Sequence, residues 1–116
     1  MGLDMYAYTT DKAGQEDTAR ELAYWRKHPN LHGWMERLAE SKNLDYGSFN
    51  GVELELTWAD LDALEQAVTH RQLPATTGFF FGNDSDERYR ESDLAFVKAA
   101  RAELFLGLRV FYNSSW

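Results

Sequence analysis

Residues 21–38 read ELAYWRKHPNLHGWMERL, and the fold depends on how this stretch is divided. Tyr24, Trp25, Arg26, Lys27, His28, His32 and Trp34 crowd large rings and basic side chains into one short window. Leu31, Trp34, Met35 and Leu38 recur at i, i+3, i+4 and i+7, the apolar stripe of an α-helix. Asn30 stands just ahead of that stripe, where an N-cap belongs. Upstream, Ala19, Leu22, Ala23 and Arg26 also share a helical face. Pro29 lies between the halves, and inside a helix it would remove a hydrogen bond and clash with the Trp25 carbonyl. The spacing therefore predicts a helix over 15–27, a break or kink, and a second helix over 31–42. Arg26, Lys27 and His32 then project off the most apolar stripe.

The flanking sequence supplies strands. In GLDMYAYT (2–9), Leu3, Met5 and Ala7 alternate with Asp4, Tyr6 and Tyr8, and both faces are apolar enough for a strand inside a sheet. Asn50-Gly51 signals a type I′ turn. It precedes VELEL (52–56), whose alternation describes a half-exposed strand. Thr57 caps the next helix, with Asp60 at the capping-box position. Trp58, Leu61, Leu64 and Val68 form the buried stripe of that helix, which should reach about residue 71. GFFFG (78–82) suits a brief strand or an anchored loop, and the polar 83–91 stretch at most one helical turn. Ser92 caps a helix over 93–104 that Gly107 stops, and LRVFYNS (108–114) is a final strand. The expected architecture is α+β: 1–116 as a single domain, a small mostly antiparallel sheet with helices on one side, and the first and last strands adjacent. Met5 and Phe111 should then lie in neighbouring strands, both buried. Strand–helix alternation is too irregular for a doubly wound fold.

A composition of 44% hydrophobic and 15% aromatic residues is enough for a real core. The absence of cysteine excludes disulfides and thiolate metal sites and suits the cytoplasm. No apolar run of membrane-spanning length and no signal peptide is present, so no membrane association is expected. The net charge of −7 is uneven. Asp45, Glu53, Glu55, Asp60, Asp62 and Glu65 fall in 43–69 without a Lys or Arg, while 20–42 is mildly basic. Overall acidity argues against direct nucleic-acid binding, and the acidic flank reads first as a solvated surface.

Catalytic signatures are missing. His28 and His32 have Pro29 between them and no HExxH pattern, so no metal is expected. Ser114 and Ser115 lack a nucleophile elbow, and 78–82 lacks the ending of a phosphate loop. Glu53 and Glu55 describe an exposed strand face before they describe a carboxylate pair. No catalytic residue or cofactor is therefore assigned. The candidate binding residues are Tyr24, Trp25, Arg26, Lys27, His32, Phe80, Tyr112 and Trp116, because aromatic rings beside cations describe recognition surfaces as well as cores. A terminal tryptophan is costly to leave in water, so Trp116 should dock on the domain, near Tyr24–Trp25 or the 79–81 rings.

The opening Met1-Gly2-Leu3-Asp4-Met5-Tyr6, the central Tyr24-Trp25-Arg26-Lys27 followed by His32 and Trp34, the 78–82 block and the ending Tyr112-Asn113-Ser114-Ser115-Trp116 together resemble an uncharacterised family of small phage and prophage-encoded bacterial proteins. The resemblance spans the chain in this order. It departs at Lys27-His28-Pro29-Asn30, where the family has a helix-compatible run. It brings no known activity and no functional residues. Together with the missing catalytic signatures and the cationic-aromatic ridge, it leads to the expectation of a small cytoplasmic protein of the bacterial host, a non-enzymatic module that binds a host or phage protein. Two other classes remain open: a small enzyme or anionic-ligand binder using Arg26, His32 and a tyrosine, and an acidic nucleic-acid mimic.

Overall fold

Strands β1 (Asp4–Thr10), β2 (Arg20–Arg26), β3 (Leu54–Leu56) and β4 (Arg109–Ser115) form one antiparallel sheet of order β2-β1-β4-β3. The computed structural model describes residues 2–44, 47–74 and 86–116, with side chains from 89 onward in the last stretch. Side chains alternate across a strand, and the register fixes which ones share a face. Met5 lies opposite Trp25 and Ser114, Ala7 opposite Ala23 and Tyr112, and Thr9 opposite Val110. Leu54 and Leu56 extend this set across β4. This inner face is buried, and helices α1 (Pro29–Ser41), α2 (Trp58–Thr69) and α3 (Asp86–Phe105) cover it. His32 of α1 reaches Tyr112, Phe96 of α3 packs edge-on against Trp25 at 5.2 Å, and α2 adds Leu61, Leu64 and Val68 to the same core. The architecture is α+β, with the helices on one side and β1 beside β4. Met5 and Phe111 are buried in these adjacent strands, on opposite faces.

The helix expected over 15–27 is not formed. Residues Glu16–Thr18 make a single 3₁₀ turn, and Arg20–Arg26 is the edge strand β2. A bulge explains the misleading pattern. Ala7 pairs with Ala23 but Tyr8 pairs with Glu21, so Leu22 is left over. The extra residue breaks the period-2 alternation of Leu22, Ala23 and Trp25 into something close to helical spacing. Lys27, at φ +55°, turns the chain out of the strand. Pro29 then serves as the first residue of α1, where its missing N–H costs nothing. The N-cap position is His28, and the expected cap Asn30 lies inside the first turn, buried.

Several boundaries shift for identifiable reasons. α3 begins at Asp86 rather than after Ser92. Tyr89 in its first turns stacks on His28 at 4.6 Å and donates to the Arg26 carbonyl. At its other end, Leu108 N–H donates to the Glu103 carbonyl and Gly107 N–H to that of Leu104, both at 3.0 Å, with Gly107 at φ +85°. This is the left-handed stop that the glycine foretold. The Thr57–Asp60 capping box forms in both directions, a contribution of about 1 kcal/mol. Trp58, expected in the buried stripe of α2, is exposed, with the Arg101 guanidinium 5.9 Å above its ring.

Only Gly51 of the Asn50-Gly51 pair has positive φ, so no type I′ turn forms. Asn50 instead binds the chain end. Its Oδ1 accepts from Trp116 N–H at 3.0 Å and its Nδ2 donates to the Trp116 carbonyl at 2.9 Å. Trp116 Nε1 donates to the Phe49 carbonyl at 2.9 Å. Trp116 thus docks half-buried on Phe49 and Asn50, away from Tyr24–Trp25; the 78–82 block lies outside the described residues.

Candidate binding face

The outer face of the sheet is built from the other half of each strand's alternation. Tyr6 stands opposite Tyr24 and Asn113, and Tyr8 opposite Glu21 and Phe111. Tyr6 and Tyr24 keep 37% and 47% of their surface, with ring centroids 5.3 Å apart. Exposure this large on paired strands marks a face that the helices leave uncovered. The Tyr24 hydroxyl donates to Asp4 Oδ1 at 2.6 Å, and that bond raises its pKa. Further along β1, Tyr8 stacks on Phe111 at 5.4 Å and donates to Glu53 Oε2 at 2.5 Å. Burial, then the bond to Glu53, pushes the Tyr8 phenol well above its ordinary range. Phe111 is buried on this side because the Tyr8 ring and the Arg109 guanidinium, 5.1 Å away, both lie against it. Beside Tyr8 a shallow cleft of about 600 Å³ opens between Glu16, Asp17, Ala19 and Asn113.

The candidate residues read from the sequence divide between this face and the core. Tyr24 is on the outer face. Arg26 and Lys27 are exposed at the end of β2, with Arg26 Nε 3.9 Å from Asp4. Trp25, His32 and Tyr112 are buried, and Phe80 lies outside the described residues. His32 and Tyr112 do converge, their Nδ1 and hydroxyl 2.8 Å apart, with Phe49 and Trp116 ringed around the imidazole. Arg26 is not part of that cluster. Tyr6 and Tyr8 belong to the aromatic set that residue type leaves divided between core and recognition surface, and neither they nor Asn113 stand among the candidates; the alternation of GLDMYAYT carried the signal, since it sets Tyr6 and Tyr8 on one side.

Two buried polar groups tie helices to the sheet. Asp93 of α3 accepts from Trp25 Nε1 at 2.9 Å and from His28 Nε2 at 2.8 Å, with both partners essentially inaccessible. His32 is different, because burial lowers its pKa to about 4. At neutral pH it is therefore uncharged and supplies no cation for an anionic ligand. An unfolded histidine protonates near its ordinary value of about 6.5. As pH falls below that value the unfolded chain binds a proton that the fold refuses, so stability falls down to about pH 4. We expect the melting temperature to decline from pH 6.5 to pH 5, and His32→Gln to decline less over the same interval. Equal slopes in thermal melts of the two proteins would refute this assignment.

The acidic 43–69 flank is largely compensated from elsewhere in the chain. Arg109 grips Glu55 with two bonds at 2.8 and 2.7 Å, Lys42 meets Asp60 at 2.5 Å, and Arg101 pairs with both Asp62 and Glu65. Arg109 and Arg101 hold the Glu55 and Glu65 carboxyls below their ordinary range. Asp45 lies outside the described residues. Among the described residues no helix is long and apolar enough to cross a membrane, and no group of three or more His, Asp or Glu side chains has metal-holding geometry. Comparison with known proteins gives no match to a family model, to a curated protein or to a solved structure.

Proposed function

We propose that the protein is a non-enzymatic protein-binding module of phage or prophage type, acting in the bacterial cytoplasm on a host or phage protein. The uncovered outer face of the sheet carries this reading. Tyrosine brings large contact area at low entropic cost and a polar tip, the balance favoured at recognition surfaces. Here Tyr6, Tyr8 and Tyr24 are held by ring contacts and carboxylate hydrogen bonds, so little further ordering is required on binding. The buried rings and imidazoles have a sufficient role in the core, and the uncovered rings do not.

The test is retention of a partner from host lysate on the immobilised protein, compared with the Tyr6→Thr/Tyr24→Thr variant. Threonine keeps strand propensity, and exposed substitutions usually move stability by within about 0.5 kcal/mol. A partner held by the native protein and lost by the variant, with unchanged melting, supports the reading. A partner held equally by both rejects this face.

A further inference from the structure

The occupant of the outer face can be defined by its charge. Glu16, Asp17, Glu21 and Glu53 have no ion-pair partner among the described residues, and each belongs to this face or its rim. The guanidiniums on the same side are already engaged. Arg109 is clamped by Glu55, and Arg26 stands beside Asp4. The surplus is therefore negative, and it gathers at the Tyr8 cleft. There Glu16, Asp17 and Asn113 line the cleft with Tyr8. The nearby Glu53 and Glu16 charges contribute to the raised Tyr8 phenol, and a field that disfavours a phenolate favours a cation. An aromatic ring beside carboxylates matches a guanidinium or ammonium group through cation–π attraction and ion pairing together.

The face continues beyond this cleft. Tyr6 lies two residues along β1 from Tyr8, about 7 Å away, and Tyr24 sits across from it on β2. This continuity favours a chain that runs across the sheet over an isolated small cation. A nucleic acid would set its phosphates against these carboxylates. We infer that the outer sheet face docks a basic, extended segment of a partner protein, with one arginine or lysine side chain entering the cleft at Tyr8, Glu16, Asp17 and Asn113. The inference rests on the protein-binding reading above and specifies its partner.

Three labelled ten-residue peptides test it by fluorescence anisotropy: one alternating arginine with serine, one with glutamate in place of arginine, and one neutral peptide with tyrosine and glutamine. The arginine peptide should bind and the glutamate peptide should not, with affinity falling about tenfold or more between 50 and 500 mM salt. Glu16→Gln/Asp17→Asn should weaken arginine-peptide binding about tenfold. Glu40→Gln/Glu91→Gln, which removes the same net charge from exposed helix positions, should leave it within about twofold. Equal losses in the two variants, or no binding of the arginine peptide, overturns the inference. Preference for the neutral or acidic peptide, abolished by Tyr6→Thr/Tyr24→Thr, overturns the basic partner while leaving the face a binding surface.

Discussion

Replacing Asp93 with alanine is expected to destabilise the protein by about 3–5 kcal/mol, because two buried donors lose their acceptor at about 1–3 kcal/mol each. Asp93 is 1% exposed and receives hydrogen bonds from Trp25 on β2 and from His28 at the β2–α1 junction. Alanine deprives two buried N–H groups of that acceptor at once, and each unmade bond carries a desolvation penalty. The same residue also fixes α3 to the edge of the sheet, where Phe96 meets the Trp25 ring. At roughly 4 °C per kcal/mol for a chain near this size, the melting temperature should fall by on the order of 12–20 °C. Asp93→Asn keeps an acceptor for Trp25 and should lose much less. A melt of Asp93→Ala that overlays the native curve would show that the pair carries no net stabilisation.

Phe49→Ala is expected to cost about 3–5 kcal/mol as well, although Phe49 belongs to neither helix nor strand. Its ring is 1% exposed, stacks on Tyr112 at 6.0 Å and meets His32 at 5.1 Å. Its carbonyl accepts from Trp116 Nε1 and, at 3.4 Å, from Ser114 Oγ. Loss of the ring opens a cavity under the end of β4 and loosens the segment that holds Trp116. The chain end should then move toward water, giving a red shift and quenching of tryptophan emission at temperatures where the variant is still folded. Residues that share a network are non-additive. Phe49→Ala/Trp116→Ala should therefore cost less than the two single losses together. Strict additivity in urea melts would separate the tryptophan from the Phe49 cluster.

The strand β1 was legible because Leu3, Met5 and Ala7 alternate with Asp4, Tyr6 and Tyr8, β4 because Val110, Phe111 and Tyr112 follow a helix-stopping glycine, and α2 because Thr57 and Asp60 announce its start. β2 was not. Its bulge at Leu22 imitates helical spacing, and its identity depends on pairing with β1, a long-range contact that no local pattern carries. Pro29 was correctly felt as a boundary but read as a kink between helices; it opens a helix that follows a strand. The candidate site was hidden for a related reason. Trp25, His32 and Tyr112 looked like recognition residues by type, yet inward register buries them. Tyr6 and Tyr8 lie in a strand whose two faces are both fairly apolar, so residue type alone does not say which face the helices cover. The expectation of helices on one side already implied an open second face; the register of β1 against β2 and β4 shows that Tyr6 and Tyr8 belong to it.

The position of β4 has a consequence for how the chain is made. Strand 109–115 comes last in sequence but sits between β1 and β3. During vectorial synthesis the first strand waits with one hydrogen-bonding edge unfilled, and the third has no neighbour at all, until residues 109–115 have left the ribosome. Closure depends on contacts of very high sequence separation, such as Asp4 with Ser115, which slow folding. Unfilled edges are templates for the wrong partner, so translation that stops short of residue 109 leaves a product that no internal rearrangement can repair.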